Sequence, residues 1–263
     1  MRALILSDIH ANLDALDAVL AAAPAHDTVW NLGDIVGYGA LPNETAKRAR
    51  EIGTLFVRGN HDRACTGRSE PADFNPIAAR AVLWTQQALT PENADWLRHL
   101  AVGPVFPKTE REPPRTAPAD ESRAVSCSHG SPLDEDEYLT SEEDAWLPLR
   151  YAPAGVNFFG HTHTQGGFAS DREEIGRLRS EIPDGNGHEA AEISLQRSLR
   201  YLINPGSVGQ PRDGDWRAAF ALFDDERMTI EFHRVPYDVR LAQMRILRAG
   251  LPDHLALRLR EGR

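Results

Sequence analysis

The 263-residue sequence has no apolar run near the roughly 18 residues that a membrane-spanning helix needs. Its first ten residues, MRALILSDIH, hold a short apolar stretch that soon turns acidic, and no small-residue cleavage site follows, unlike a secretion signal. These absences predict a cytoplasmic protein without a membrane partner. Only two cysteines occur. A structural disulfide is not expected in a cytosolic chain, and Cys127, within the apolar stretch AVSCS, is predicted to be buried.

Clustered positive charge is also missing. The formal net charge is −10, and lysine and arginine form no basic run. Because duplex DNA-binding proteins usually present a basic face to the phosphates, long nucleic acid is not expected as a partner. A small phosphorylated substrate is compatible with this charge, since bound divalent cations can dominate the electrostatics of a site. The sequence gives no indication of the oligomeric state.

The first 60 residues alternate between short apolar runs and helical patterns. RALILS, DTVWNLGD and TLFVRGNHD read as strands, and ANLDALDAVLAAA and PNETAKRAREIG read as helices, the second opened by Pro42 and ended by Gly53. This alternation predicts a largely parallel, buried sheet in an α/β fold.

The later part of the chain predicts helices within 74–100, one of them capped by Thr90, and then several closely spaced strands. VNFFG, GGFAS, RYLIN, AAFALFD and MTIEFHRV are expected to form a second, more antiparallel sheet, followed by a helical tail at 237–260. Two polar stretches, 107–122 and 171–189, are predicted to be loop insertions. We expect one domain spanning 1–263.

Residue types that bind metals follow the ends of the predicted strands. They are Asp8 and His10 after the first, Asp34 after the second, Asn60, His61 and Asp62 after the third, His129 after AVSCS, and His161 and His163 after VNFF. Because α/β proteins form their sites at the carboxyl ends of strands, these side chains are predicted to meet. A mixed carboxylate, amide and imidazole set without thiolates suits Mn, Fe, Zn, Co or Ni and is unlike a structural zinc site.

Taken singly, each residue also has an ordinary structural explanation. Asp8 and Asp34 could cap a helix or a turn, Asn60 could be a turn residue, and His129 could be a satisfied loop histidine. Arg212 in the loop GQPRDGD is predicted to lie in a structural turn, and the acidic run at 134–144 is predicted to be a solvated face. The joint placement at strand ends is what favours metal binding.

Five motifs occur in a fixed order, namely SDIH, GDIVG, GNHD, HGSP and GHTH. With this order the chain resembles the calcineurin-like metallophosphoesterase superfamily. SDIHANLDAL and NPGSVGQPRDGD resemble its small prokaryotic phosphodiesterase branch. The resemblance covers Arg2 to about Val235, and it implies a four-layer α/β/β/α sandwich of two mixed sheets with two metals between them.

The resemblance also implies the ligands of these two transition-metal ions. One ion is expected to be held by Asp8, His10 and His163, the other by Asn60, His129 and His161, with Asp34 bridging both. Two cations that share a carboxylate can clamp the attacking and leaving oxygens of a displacement at phosphorus.

Four further residues receive expected roles. The resemblance leaves His61 without a metal, facing the substrate phosphate as a catalytic residue that can protonate the leaving group, with Asp62 as its orienting partner. Asn12 and Arg63 are candidates to contact the substrate phosphate, although Arg63 could instead form only surface ion pairs.

The implied activity is hydrolysis of a P–O bond, with a phosphodiester as substrate and a hydroxide that bridges the metals as nucleophile. A dinucleoside polyphosphate hydrolase, which GDIVGYGALPNE also resembles, and a cyclic-nucleotide phosphodiesterase are the enzymatic alternatives. A nuclease is disfavoured by the net charge. A vacuolar-sorting subunit that resembles this family uses the fold for protein assembly, so a non-catalytic scaffold is the alternative of another class. The complete ligand set and His61 favour an enzyme.

Overall fold

The computed structural model describes residues 1–107, 125–171 and 173–263. The predicted insertion at 107–122 therefore lies outside the described residues except for Pro107.

The first sheet has six strands and combines a parallel half with an antiparallel half. The parallel half holds β1 (Arg2–Leu6), β2 (Thr28–Asn31) and β3 (Leu55–Phe56), and the antiparallel half holds β8 (Glu189–Ser194), β10 (Ala218–Asp224) and β11 (Thr229–Val235). The strand order is β3-β2-β1-β10-β11-β8. The predicted parallel strands are thus confirmed, and they form only half of the sheet.

The expectation that AAFALFD and MTIEFHRV belong to the second sheet is wrong. β10 pairs with β1 in antiparallel register, with Arg2 opposite Asp224, and β11 follows on its other side. Six of the seven β10 residues are buried, which suits a strand in the middle of a covered sheet. An apolar run identifies a strand, and it does not identify the strand's neighbours.

The second sheet has five strands in the order β4-β5-β9-β6-β7. They are β4 (Val125–Cys127), β5 (Val156–Phe158), β6 (Gly166–Ser170), β7 (Ile175–Leu178) and β9 (Arg200–Asn204). β4, β5 and β9 are parallel, whereas β6 and β7 are antiparallel additions. The stretch 171–189, expected to be an insertion, contains the edge strand β7, in which Gly176 and Arg177 are exposed.

Helices cover the outer face of each sheet. α1 (Leu13–Ala22), α2 (Pro42–Ile52), α4 (Pro76–Ala88), α5 (Pro91–Arg98), α7 (Val239–Arg248) and α8 (Asp253–Glu261) share one apolar cluster with the first sheet. α6 (Glu142–Tyr151) packs on the second sheet. The fold is therefore the predicted α/β/β/α sandwich of two mixed sheets. The expected tail at 237–260 is two helices, separated where Gly250 has a φ of +71° and Pro252 follows.

None of the helices in the described ranges is both long and apolar enough to span a membrane. Cys65 and Cys127 are buried and unpaired.

The two sheets pack through alternate residues of their strands. In β1, Ala3 and Ile5 face the core between the sheets, whereas Leu4 and Leu6 face the helices. Trp30 and Phe158, one from each sheet, contact each other in the inter-sheet core with ring centroids 6.1 Å apart. This packing brings the loops that follow β1, β2 and β5 to one edge of the sandwich.

Candidate metal centre

The loops after the strands turn sharply at the residues that were predicted to bind metals. Five of these residues have left-handed backbone angles: Asp8 (φ 54°), His10 (50°), Asp34 (53°), His161 (65°) and His163 (59°). Residues other than glycine seldom adopt this region, because Cβ then crowds the backbone. Such strain persists only where surrounding contacts impose it, and it concentrates at functional sites. Here the amide of His10 donates to the carbonyl of Asp34 at 2.9 Å, which joins the first two loops.

One group of donor atoms comprises Asp8, His10, Asp34 and His163, all of them buried. The Nε2 atoms of His10 and His163 are 3.1 Å apart. His163 Nε2 lies 3.3 Å from Asp8 Oδ1, and His10 Nε2 lies 3.5 Å from Asp34 Oδ2. All four donor atoms lie within 4.8 Å of one another, so one cation could contact each of them.

A second group comprises Asp34, His129 and His161, with Asn60 beside them. His129 Nε2 lies 3.4 Å from Asp34 Oδ2, 3.1 Å from His161 Nδ1 and 3.2 Å from Asn60 Oδ1. Asp34 Oδ2 therefore faces both groups. The structure brings together all seven predicted ligands in the two sets that were expected.

Backbone carbonyls orient the histidine rings toward these groups. Three Nδ1 atoms lie within hydrogen-bond distance of a carbonyl: His10 with Val36 (3.2 Å), His129 with Leu32 (2.8 Å) and His163 with Gln210 (2.6 Å). Because a carbonyl only accepts, Nδ1 carries a hydrogen and Nε2 is the ring nitrogen that faces the cluster, which is how backbone carbonyls commonly orient histidines that bind metals. His161 is reversed: its Nδ1 faces the cluster, and its buried Nε2 has no hydrogen-bond partner among the described residues.

The charges of the site also fit bound cations. Burial raises the pKa of Asp8 to about 7. Burial opposes ionisation of Asp34 too, but the positive charge of His129 holds the pKa of Asp34 well below the usual range. Burial works against protonation of His129, yet the Asp34 carboxylate raises the pKa of His129 to about 10. Buried carboxylates are costly unless positive charge compensates them, and metal ions at the two groups would supply it.

His61 lies beside the first group without belonging to either. Its ring packs against Tyr38 (4.3 Å between centroids), Phe74 (4.9 Å) and His10 (4.9 Å). Burial lowers the pKa of His61 to about 4, and Nδ1 has no hydrogen-bond partner among the described residues. A Cβ at Gly37, where φ is +91°, would lie 2.6 Å from this Nδ1, so a side chain at position 37 would displace the ring.

A sequence profile of the calcineurin-like phosphoesterase superfamily domain matches residues 1–228. The chain belongs to the calcineurin-like phosphoesterase superfamily. This membership supports a hydrolase that acts on phosphate esters.

Several known proteins are similar over most of their length. The crystal structure of a metallophosphoesterase from Sphaerobacter thermophilus has 37% identity and a TM-score of 0.76, covering 100% of this chain and 99% of that one. The uncharacterized protein MJ0912 of Methanocaldococcus jannaschii is 36% identical over 98% of this chain and 97% of its own. A Yersinia enterocolitica protein named bis(5'-nucleosyl)-tetraphosphatase, symmetrical, is 25% identical over 78% of this chain and 75% of its own.

The expected pairing of the Asp62 carboxylate with the ring of His61 is wrong. The Asp62 carboxylate accepts hydrogen bonds from the amides of Ile35 (2.9 Å), Val36 (3.2 Å) and Gly59 (3.0 Å). Residues 60–65 form the helix α3 (Asn60–Cys65) rather than a loop, and adjacent helical side chains do not face each other. Asp62 therefore ties the loop that carries Asp34 to the start of α3.

The two predicted substrate contacts are occupied by other interactions. Asn12 caps α1, since its Oδ1 accepts from the first turn at 3.2 Å, and its Nδ2 donates to the carbonyl of Gly209 at 2.9 Å. The Arg63 guanidinium donates to Glu135 at 2.6 Å and to Asp136 at 2.8 Å. For Arg63 the surface ion pair is thus the correct alternative, and the phosphate contact is not supported.

Two residues near the centre were not predicted to belong to it. The Arg212 amide donates to the carbonyl of His163 at 3.1 Å, and its guanidinium lies 5.7 Å from the centre of the Tyr38 ring. Tyr138 stacks on His161 with the ring centroids 3.8 Å apart. An aromatic residue inside an otherwise acidic run is a signal that could have identified Tyr138. For Arg212 the turn-rich sequence gives no comparable signal.

Proposed function

We propose that the chain is a binuclear metal-dependent phosphodiesterase. The observation that carries this proposal is the position of Asp34 Oδ2, 3.5 Å from His10 Nε2 in one donor group and 3.4 Å from His129 Nε2 in the other. Asp8, His10, Asp34 and His163 would hold one ion of Mn, Fe, Zn, Co or Ni, and Asp34, Asn60, His129 and His161 would hold the second. Ions bound there would activate water and neutralise charge on the phosphate oxygens.

We assign His61 to the substrate side of this centre. Its ring adjoins His10, and its backbone amide donates to Asp34 Oδ1 at 2.8 Å, so the bridging carboxylate and the ring are held in one unit. In this position the ring would hydrogen-bond a phosphate oxygen or the leaving oxygen of a bound substrate. This arrangement supports the catalytic role that the motif GNHD suggested.

Metal analysis tests the binuclear proposal directly. The purified protein should contain two ions per chain after loading with Mn²⁺ and removal of excess metal, and it should hydrolyse bis(p-nitrophenyl) phosphate only when loaded. A single ion per chain, or hydrolysis that persists in the metal-free protein, would contradict the proposal.

Hydrolysis of dinucleoside polyphosphates is the second candidate function. The Yersinia relative is named for a bis(5'-nucleosyl)-tetraphosphate, and this supports the candidate at 25% identity. Comparing kcat/KM for diadenosine tetraphosphate, a cyclic nucleotide and bis(p-nitrophenyl) phosphate would separate the three activities. The net charge of −10 disfavours long nucleic acid, and the complete donor sets disfavour a non-catalytic scaffold. Cytoplasmic location stays a prediction from the sequence.

A further inference from the structure

A cavity of about 740 Å³ lies beside the candidate metal centre. It opens at the edge of the second sheet where β5, β7 and β9 all end, since these three strands run in the same direction. Its walls come from the loop 162–165 before β6, from the segment 179–182 after β7 and from residues 139–140 before α6. This volume lies within the range of roughly 300–1,000 Å³ that is typical of small-molecule sites.

Two segments of the chain join this cavity to the metal centre. The motif GHTH contributes both of its histidines to the donor groups, whereas Thr162 between them lines the cavity. In the other segment, Tyr138 stacks on the ring of His161 with the centroids 3.8 Å apart, and the next two residues, Leu139 and Thr140, line the cavity. A ligand with a phosphate at the metal centre could therefore extend past Thr162 and Tyr138 into the cavity.

The wall that carries Thr162 is anchored to the sheet. Asn204, the fully buried last residue of β9, donates through Nδ2 to Thr162 Oγ1 at 2.9 Å and to the Gly160 carbonyl at 2.8 Å. This anchoring sets the position of the wall before any ligand binds. Thr164 lines the cavity two residues further on, so this wall contributes two hydroxyl groups, each of which can donate and accept hydrogen bonds.

An arginine on an aromatic ring forms another part of the lining. Phe168 in β6 and Arg177 in β7 are directly opposite each other, and the guanidinium carbon lies 5.4 Å from the centre of the buried phenyl ring. Arg177 Nη2 also donates to the Thr140 carbonyl at 2.6 Å, which links β7 to the segment before α6. The guanidinium is thus held between a ring and a carbonyl. Planar guanidinium groups stack on aromatic rings and on nucleobases.

We propose that this cavity binds a nucleoside group esterified to the phosphate at the metal centre, with its base stacked on the guanidinium of Arg177. This inference rests on the proposed phosphoesterase function and names its substrate class as nucleotide esters. Apolar residues such as Leu139 and Phe168 suit the faces of a base, and the hydroxyls of Thr162 and Thr164 suit the hydroxyls of a sugar. A diester with only small alkyl groups would leave the cavity empty.

Two chromogenic diesters with the same leaving group test the cavity. The p-nitrophenyl ester of thymidine 5'-monophosphate carries a nucleoside and ethyl p-nitrophenyl phosphate does not, so the ratio of their kcat/KM values measures the contribution of the nucleoside. We expect Ser180→Trp, which fills the cavity, to lower this ratio roughly tenfold, and Arg177→Ala to lower it about fivefold through loss of stacking. Ser198→Trp and Arg197→Ala, in the exposed turn before β9, are the matched controls. An unchanged ratio in both cavity variants would overturn the proposed site and leave the phosphoesterase proposal intact.

Chemical labelling provides a readout that is independent of hydrolysis. Both native cysteines are buried, so Ser180→Cys introduces one accessible thiol in the cavity wall. In the metal-loaded protein, thymidine 5'-monophosphate should slow the reaction of this thiol with iodoacetamide roughly threefold or more, because bound nucleotide shields it by mass action. The control Ser198→Cys should react at the same rate with and without the nucleotide. Equal rates in Ser180→Cys would overturn the proposed site. If the metal-loaded wild type hydrolyses neither diester, the phosphoesterase proposal fails, and the labelling result still decides whether the cavity binds a nucleotide.

Discussion

The two sides of the candidate metal centre each carry an arginine, and the two arginines differ in whether a carboxylate pairs with them. On the side of α3, Arg63 is matched by Glu135 and Asp136 at 2.6 Å and 2.8 Å. On the side of the 209–215 loop, Arg212 has no carboxylate partner among the described residues, and its Nη2 donates to the Gln210 side chain at 3.0 Å. Arg63, which follows the GNHD motif, is neutralised by carboxylates, whereas the guanidinium of Arg212 is not paired with a carboxylate of the described residues. The function of an arginine thus depends on which acids reach it in the fold, and adjacency to a motif does not decide it.

Removal of the carboxylate that both sides share should have the largest effect. We expect Asp34→Asn to lower kcat/KM for bis(p-nitrophenyl) phosphate roughly a thousandfold or more, since neither donor group keeps its common anionic oxygen. Metal content measured by mass spectrometry should fall below two ions per chain. Asp95→Asn, an exposed site on α5, is the control and should behave like the wild type. Two retained ions with normal hydrolysis would contradict the bridging role.

Substitution of His61 tests the residue proposed to contact the substrate and leaves all seven proposed metal ligands in place. His61→Ala should lower kcat roughly a hundredfold, because the ring that assists the leaving group is lost. Metal content should stay at two ions per chain, which separates this variant from Asp34→Asn. His26→Ala, an exposed histidine, serves as the control. If kcat is unchanged, His61 takes no part in the reaction.

Asn12 anchors the side that carries Arg212, through its bond to the Gly209 carbonyl. Asn12→Ala should lower stability by about 1 kcal/mol through loss of the helix cap, which corresponds to about 2–4 °C in Tm for a domain of this size. Asn12→Asp keeps the oxygen that caps α1 and loses only the donor to the Gly209 carbonyl. Its Tm should therefore fall less than that of Asn12→Ala. Thermal unfolding measures both. A normal Tm combined with lost activity would instead favour a direct substrate contact.

The smallest effect is expected from removing a carboxylate that neutralises the arginines beside α3. Glu135→Gln removes the anion that Arg58 and Arg63 share, at 2.9 Å and 2.6 Å. Binding of inorganic tripolyphosphate should tighten about twofold at low salt and lose that gain at high salt, because such partly exposed pairs contribute little and are screened. Glu143→Gln, exposed in the first turn of α6, is the control. An identical effect of both substitutions would show that net charge alone is responsible.

The sequence predicts which side chains meet at the candidate metal centre because each of them follows the end of a strand. Neighbouring parallel strands of one sheet deliver their carboxyl ends to one edge, so Asp8 after β1 and Asp34 after β2 meet there. His163 follows β5 of the second sheet, and the packing of the two sheets brings it to the same edge. The sheet assignment of β10 was wrong because its apolar run does not encode its neighbour. Asp62 was misassigned because residues 60–65 are helical. The sequence around Arg212 predicts a turn and does not reveal that its guanidinium lies 5.7 Å from the Tyr38 ring.

The antiparallel pairing of β1 with β10 has a consequence for how the protein is made. Residue 2 pairs with residue 224, so the central strand of the first sheet waits for most of the chain to leave the ribosome. Chains grow at roughly 5–20 residues per second, and pairings of such high contact order are slow to form. Asp8, His10 and Asp34 are therefore synthesised well before His163, which completes their cluster. The first donor group of the candidate metal centre can therefore assemble only after residues of both sheets have been synthesised.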